Sequence, residues 1–242
     1  RWMEKVYIAG KIPEAGLNLL KEHFEVDMYE GEGIIDKETL KEGVKDASAL
    51  ISILSTNVDK EVIDSGENLK IIANYGAGFN NVDVDYAREK NIDVTNTPKA
   101  STAATAELTF GLVLAIARRI VEGDKLSRTK GFDGWAPLFF RGREVSGKTL
   151  GIIGFGEIGS AVAKRAKGFD MDILYTGPHQ KKEKEREIGA KYVDLDTLLE
   201  HSDFITINAA YNPDIHHMID SEQFKKIGRI LSEPARNRWR CI

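Results

Sequence analysis

The feature that most restricts the fold of this sequence is a repeated alternation between short apolar runs and segments whose apolar residues have helical spacing. The run 5–9 predicts a strand, Pro13 opens a helical segment, and the run 24–28 predicts the next strand. Strands that alternate with helices are typical of a parallel sheet covered by helices on both faces. The sequence therefore predicts an α/β protein with doubly wound parallel sheets.

The alternation continues and then begins afresh after a glycine-rich loop at 131–147. Before the loop, strands are predicted at 49–54, 70–74 and 93–96, and helices at 37–46, 60–67 and 84–90. After it, strands are predicted at 149–153, 172–175, 191–193 and 204–208, and helices at 158–167, 182–188 and 196–201. A helical segment over 101–130 is longer than a crossover needs, so we expect it to be a connector helix. These patterns predict two domains, 1–100 and 101–242, with the connector in the second.

A glycine-rich segment lies directly between the predicted strand 149–153 and a predicted helix. It holds Gly154, Gly156 and Gly159 in the pattern G-x-G-x-x-G. Gly154 permits a tight turn, Gly156 lets backbone N–H groups approach a pyrophosphate at the helix N-terminus, and Gly159 lets the helix pack closely on the strand. The segment predicts dinucleotide binding; the alternative is a glycine-rich turn without a ligand.

The residues after the strand 172–175 bear on which dinucleotide is bound. An acid there would accept hydrogen bonds from the ribose 2′-OH and repel a 2′-phosphate. This sequence has Gly177 instead, followed by His179 and Lys181 as possible donors. The pattern predicts NAD(P) binding with a preference for NADP. The alternative is that 181–187 is only the solvated start of a helix.

Composition excludes several classes of protein. The chain is 42% hydrophobic and 30% charged with a net charge of -4, so it has no general positive field for nucleic acid or an anionic membrane. Its single cysteine, Cys241, and five histidines show no zinc-ligand spacing, and the apolar stretch 108–117 is too short to span a bilayer. We expect a cytoplasmic protein that binds no metal ion, no nucleic acid and no membrane.

Four segments together resemble one enzyme family: Asn74–Asp83 (NYGAGFNNVD), Thr105–Leu108 (TAEL), Trp135–Leu138 (WAPL), and the glycine pattern followed by Tyr175–Gly177 (YTG). They resemble the D-isomer-specific 2-hydroxyacid dehydrogenases, and most of all the glyoxylate/hydroxypyruvate reductases. The resemblance implies a flavodoxin-like substrate-binding domain followed by a Rossmann domain. It also implies hydride transfer between NAD(P)H and a small 2-oxo or 2-hydroxy acid.

The resemblance further implies roles for residues near the substrate. The loop with Ala77 and Gly78 would present backbone N–H groups to the substrate carboxylate, and Leu54 and Ser55 would border the pocket. Trp135 would reach into the neighbouring subunit's active site, which implies a homodimer. The alternatives are a tight turn at 77–78, ordinary packing at the strand end for 54–55, and a buried loop anchor for Trp135.

On the cofactor side, the resemblance places Thr105, Ala209 and Ala210 beside the dinucleotide. Ala210 stands near the point where the family often has a proline. Glu157 and Ile158, inside the glycine pattern, would flank the pyrophosphate through backbone atoms, so their side chains would matter little.

The family's catalytic groups are an Arg that holds the carboxylate, a His that donates a proton, and a Glu that keeps this His protonated. They are expected after the segment 224–227. Arg238 has about the expected spacing for the Arg, but Arg236 has a similar local context, and neither the Glu nor the His is found. Residues 229–242 contain four Arg and no Lys, against 9 Arg and 21 Lys before them. We interpret 229–242 as an altered, truncated end and expect an inactive chain; the alternative is a non-catalytic NAD(P)-binding dimer that acts as a sensor or interaction module.

Overall fold

A computed structural model describes residues 3–210 and 215–227 of the chain. The chain divides into two compact units, with the division between Ala100 and Ser101. Each unit has its own parallel sheet, so the predicted α/β fold with two doubly wound sheets is confirmed. Within the described ranges, no helix has both the length and the apolar character needed to cross a membrane.

The first unit consists of a five-stranded sheet and its crossover helices. Its elements are β1 (Lys5–Ile8), α1 (Glu14–His23), β2 (Glu25–Met28), α2 (Lys37–Val44), β3 (Ala49–Ile53), α3 (Lys60–Ser65), β4 (Ile71–Tyr75), α4 (Val84–Glu89) and β5 (Asp93–Thr95). The strand order β2-β1-β3-β4-β5, with all pairs parallel, is the flavodoxin-like order that the resemblance implied.

Local sequence explains where the helices of this unit begin. The carboxylates of Asp36, Asp59 and Asp83 accept hydrogen bonds from backbone N–H groups in the first turns of α2, α3 and α4. Such caps satisfy amide groups that have no partner within the helix. The core of the unit is formed by strand residues such as Leu50 and Ile72, which are fully buried.

The second unit consists of a four-stranded parallel sheet and six helices in its described part. Its elements are α5 (Thr102–Ala117), α6 (Ile120–Thr129), β6 (Thr149–Ile153), α7 (Glu157–Lys167), β7 (Asp172–Thr176), α8 (Lys182–Ile188), β8 (Ala190–Tyr192), α9 (Leu195–His201), β9 (Phe204–Ile207) and α10 (Ser221–Lys226). The order β8-β7-β6-β9 corresponds to 3-2-1-4 when counted from β6, which is the order of a Rossmann sheet.

The prediction of a single connector helix over 101–130 is wrong, because the structure has two helices in this segment. α5 ends at Ala117, and Arg119 has a left-handed φ of 57° before α6 begins. The later segment 140–143 lies against this break: Arg143 N–H donates to the Ala117 carbonyl (2.7 Å), and the Arg119 guanidinium lies 4.1 Å above the Phe140 ring. The local pattern is helical, but contacts from about twenty residues further along the chain stabilise the break.

Candidate functional site

The strand register brings three loops of the second unit to one edge of its sheet. The last residue of β6, Ile153, pairs with Thr176 on β7 and with Ile207 on β9. The glycine pattern, the segment after Thr176 and the segment after Ile207 therefore begin side by side. In open α/β sheets this edge, beyond the carboxyl ends of the strands, is where ligands bind.

Gly154 forms the sharp turn out of β6. Its φ is +91°, its N–H donates to the Thr176 carbonyl (3.0 Å), and a Cβ built on it would lie 2.6 Å from the Cα of Ala209. The turn thus needs a residue that tolerates positive φ and has no side chain. Ala209 lies against Gly154, so the structure brings the predicted Ala209 to this turn, while Ala210 is exposed.

Gly159 and Gly156 have different surroundings. A Cβ on Gly159 would overlap the Gly154 carbonyl oxygen and lie 3.1 Å from the Ile152 side chain, so Gly159 allows helix α7 to pack on β6. A Cβ on Gly156, the N-cap of α7, would meet no described atom within 4 Å. The helix N-terminus is therefore open at Gly156, where a side chain would obstruct an approaching group. Open amide groups at a helix N-terminus suit the pyrophosphate of a dinucleotide.

Two of the three side chains inside the glycine pattern, those of Glu157 and Ile158, contact other parts of the second unit. Glu157 accepts a hydrogen bond from Lys184 Nζ (2.9 Å), which also donates to Ser160 Oγ (3.1 Å). Ile158 is half-buried against the core of the unit. That Glu157 and Ile158 flank a pyrophosphate through backbone atoms stays a prediction.

The segment from Gly177 to Lys181 is held by two tyrosines that sequence reasoning did not single out as site residues. The Tyr192 hydroxyl donates to the Gly177 carbonyl (2.9 Å), and the Lys181 N–H donates to the Tyr175 hydroxyl (2.7 Å). Tyr175 is fully buried, and burial raises the pKa of its hydroxyl. His179 lies between the two residues that are held in this way, Gly177 and Lys181. The side chains of His179 and Lys181 are exposed.

Glu185 joins the same network from α8. Its carboxylate accepts from Gln180 Nε2 (3.0 and 3.1 Å), from the Tyr175 hydroxyl (3.0 Å) and from the Tyr192 N–H (3.2 Å). The hydrogen bond from Gln180 is the largest cause that lowers the pKa of Glu185, and Tyr175 and Tyr192 add to it. This acid therefore stabilises the loop.

Thr105 lies on α5 rather than in one of these loops. It is half-buried, and its carbonyl accepts the Thr109 hydroxyl (2.8 Å) within the same helix. The neighbouring Ala106 is part of the core that also holds Phe155, so α5 packs beneath the glycine pattern. The described contacts of Thr105 do not include the pattern itself.

A second candidate site lies in the first unit, at the carboxyl ends of β3 and β4. Ile53 pairs with Tyr75, so the segments that follow them begin together. A Cβ on Gly76 would overlap the Leu54 side chain, which shows that Leu54 lies against the turn with Ala77 and Gly78. Leu54, Ser55 and Gly78 are exposed, and Ala77 is half-buried.

Two asparagine amides hold this turn, the buried Asn74 and the half-buried Asn81, and sequence reasoning assigned them no role. Asn74 and Asn81 donate to each other's amide oxygens (3.1 Å each way), and Asn74 Oδ1 also accepts the buried Ser52 hydroxyl (2.8 Å). Asn74 Nδ2 donates to the Gly78 carbonyl (2.8 Å), and Asn81 Nδ2 donates to the Thr56 carbonyl (2.9 Å). The sequence signal that could have predicted this role is the set of asparagines in the Asn74–Asp83 segment.

Comparison with known proteins agrees with this geometry. A sequence model described as "D-isomer specific 2-hydroxyacid dehydrogenase, NAD binding domain" matches residues 110–231. A Staphylococcus haemolyticus protein, provisionally named a 2-hydroxyacid dehydrogenase, is 91% identical over 223 residues, which are 92% of this chain and 70% of that protein. This chain belongs to the D-isomer specific 2-hydroxyacid dehydrogenase family. The predicted membership of this family is confirmed. With it, the predictions of a nicotinamide cofactor and of descent from oxidoreductases are confirmed.

Solved structures of the family share both units' fold. A protein from Thermus thermophilus, TT0316, is similar with a TM-score of 0.86 and 35% identity over 92% of this chain and 70% of its own. A glyoxylate reductase from a Paecilomyces species is similar with a TM-score of 0.81 and 31% identity over 93% of this chain and 70% of its own. The similarity to these structures extends over most of the chain and therefore includes the sheets of both units.

The remaining predicted residues of this family member are located as follows. Trp135 is 86% exposed in the 131–147 loop, so the alternative that it is a buried anchor is wrong. Arg238, like its competitor Arg236, lies outside the described residues. All five histidines are described, and all are exposed. No group of three metal-ligating side chains occurs among the described residues.

Proposed function

We propose that this protein is by ancestry a glyoxylate/hydroxypyruvate reductase-like enzyme, of the kind that reduces a small 2-oxo acid to the D-2-hydroxy acid, and that it binds NAD(P) with a preference for NADPH. The observation that carries the cofactor preference is Gly177, where a built Cβ would meet no described atom within 4 Å. A carboxylate at this position would repel a 2′-phosphate, whereas Gly177 leaves space beside the exposed His179 and Lys181. The bound nicotinamide supplies the hydride.

The glycine pattern would hold the cofactor's pyrophosphate at Gly156, through the N–H groups at the start of α7. The amides of Ala77 and Gly78 would hold the substrate carboxylate, with Leu54 and Ser55 at the border. Neither amide N–H has an acceptor among the described residues, which leaves both able to donate to an anion. The similarity to a glyoxylate reductase supports the choice of substrate class.

The test of the cofactor preference is a fluorescence titration of the protein with NADPH and with NADH. We expect NADPH to bind more tightly, and a tenfold or larger preference for NADH would overturn the proposal. Gly177→Asp is the matched variant, because its carboxylate would accept from a ribose 2′-OH and repel a 2′-phosphate. It should lower the affinity for NADPH by at least about tenfold, since two like charges about 4 Å apart at a protein surface repel each other by about 1–4 kcal/mol.

We further infer that the 242-residue chain binds its cofactor but shows negligible reductase turnover. A positioned general acid contributes about a hundredfold to ten-thousandfold in rate. The exposure of all five histidines supports the inference. Steady-state assays with glyoxylate or hydroxypyruvate and NADPH test it, with a family member that has the catalytic Arg, Glu and His as the positive control. Turnover of several per second would contradict it.

A second candidate function is that of a non-catalytic NAD(P)-binding sensor or interaction module, because the Glu and the His of the family's catalytic set are not found in this sequence. It would bind NADPH as tightly as the enzyme does but would not bind a 2-oxo acid analogue. Titration with sodium oxamate, an unreactive analogue, separates the two functions: saturable binding at the 77–78 turn supports the reductase, and its absence supports the sensor.

We propose that the protein forms a homodimer through α5, α6 and the 131–147 loop. The support is a set of exposed apolar side chains on these segments, at Leu108, Leu112, Ile120, Val121, Trp135 and Leu138. Large exposed apolar areas of this kind are typical of interaction surfaces. The mass in solution at micromolar concentration tests the proposal: a dimer is expected, and a monomer would contradict it. Val121→Glu should dissociate the dimer, whereas a glutamate at exposed Leu19 on α1 should not.

A further inference from the structure

We propose that Asn96 is a positioning residue that orients the substrate-binding N–H of Gly78 in the turn at 76–79. The Thr97 N–H acts on the Ala77 N–H in the same way, and Asn74 holds the Gly78 carbonyl from the other side of the turn. The inference rests on the proposed binding of a small carboxylate by Ala77 and Gly78. It adds the reason why these amides point toward a ligand.

Three successive carbonyl groups of this turn are held by donors from the protein. The Gly76 carbonyl accepts the Thr97 N–H (2.9 Å), the Ala77 carbonyl accepts Asn96 Nδ2 (2.7 Å), and the Gly78 carbonyl accepts Asn74 Nδ2 (2.8 Å). Two of these donors are neighbours in sequence just after β5, and the third lies on β4. The turn is thus fixed from both sides.

Peptide geometry converts these bonds into a direction for the amides. The peptide bonds of the described residues are all trans, so each carbonyl points opposite to the N–H of the next residue. The Gly76 and Ala77 carbonyls point toward 96–97, and the N–H groups of Ala77 and Gly78 consequently point away from it. Neither of these two N–H groups has an acceptor among the described residues.

The asparagine amide suits this task better than an ionised donor. A Lys or Arg at position 96 would place a full positive charge under the turn and would itself attract the anion. The neutral Asn96 amide fixes the peptide group and leaves the anion to the backbone. Asn96 is half-buried, so its hydrogen bond to the Ala77 carbonyl is partly shielded from water.

The experiment is a titration of the full ¹⁵N-labelled chain with sodium oxamate, followed through the amide resonances of Ala77 and Gly78. In the wild type we expect saturable shifts at these amides. Asn96→Ala should weaken oxamate binding by about tenfold, because the Gly78 N–H is no longer held toward the ligand. Asn96→Ser keeps a hydroxyl donor and should recover part of the affinity. Asn18→Ala, the same truncation on α1, should bind as the wild type does.

Two results would overturn the inference in distinguishable ways. Unchanged oxamate affinity in a folded Asn96→Ala variant would show that Asn96 does not position the amides, while the proposed carboxylate site would stand. No oxamate-dependent shift at Ala77 or Gly78 in the wild type would refute the proposed site and the inference together. Amide exchange in β4 and β5 reports whether Asn96→Ala is folded. If it is not, oxamate affinity in Asn96→Ser decides: weakened binding supports the inference, and wild-type affinity refutes it.

Discussion

The two units place their candidate sites at the same kind of sheet edge but build them by opposite means. In the second unit the turn after β6 depends on the absence of side chains, since a Cβ at Gly154 or Gly159 would overlap backbone atoms. In the first unit the turn after β4 depends on side chains that are present, the amides of Asn74, Asn81 and Asn96. The glycines leave the backbone after β6 open to close approach, and the asparagines fix the peptide groups of the turn after β4.

The largest expected effect is at Gly154. Gly154→Ala should destabilise the second unit by about 3 kcal/mol, because an L residue at positive φ costs about 1–2 kcal/mol and overpacking adds about as much. Hydrogen exchange of amides in β6 measures the loss, and dinucleotide binding should disappear with it. Gly177→Ala, at a position with open space, is the control and should change stability by less than about 0.5 kcal/mol. A stable Gly154→Ala would show that the turn does not depend on glycine.

The corresponding change in the first unit is Asn74→Ala. It leaves the buried Ser52 hydroxyl without its acceptor and the Gly78 carbonyl without its donor. We expect a loss of about 2 kcal/mol, since each unsatisfied buried polar group costs about 1–3 kcal/mol. Hydrogen exchange in β3 and β4 provides the measurement, and Asn80→Ala, an exposed asparagine in the same segment, is the control. If both variants are equally stable, the amide network does not hold this turn.

A smaller effect is expected at Gly156, where a substitution should affect ligand binding but not the packing of the core. Gly156 has a φ of -78°, which any residue adopts, and a Cβ on it would meet no described atom within 4 Å. Gly156→Ala should therefore leave stability within about 0.5 kcal/mol of the wild type but weaken NADPH binding by about tenfold or more, because its methyl group obstructs the pyrophosphate. Parallel unfolding and fluorescence titrations test this; unchanged NADPH affinity would argue against a pyrophosphate at this position.

The smallest expected effect is a difference in pH dependence. Hydrogen bonds from Gln180 and the tyrosines lower the pKa of Glu185 in the folded state, so its contribution is present above the unfolded pKa and is lost as pH falls through the folded pKa. The amide network of the first unit contains no titratable group. Acidification from pH 7 to pH 3 should reduce the stability difference between the wild type and Glu185→Gln. The difference between the wild type and Asn74→Ala should not follow this titration.

Local sequence was sufficient for most of the fold. The strand β6 and the helix α8 have the bounds that the pattern predicts, and most other elements differ by one or two residues. The reason is that alternating apolar runs, aspartate caps and glycine turns act over a few residues. The glycine pattern is equally local, because its strand, turn and helix adjoin one another in the sequence.

Tertiary structure decided what depends on residues far apart in the chain. The break at Arg119 is stabilised by Phe140 and Arg143, and the Ala77 carbonyl accepts a hydrogen bond from Asn96, about twenty residues away. The two tyrosines that hold the segment after Gly177 come from different strands. The sequence by itself determined the elements and the glycine turn, since their causes are local. Only the packed structure determined which carbonyls are held and which N–H groups have no acceptor among the described residues, because a hydrogen bond between distant residues forms only once the sheet has brought them together.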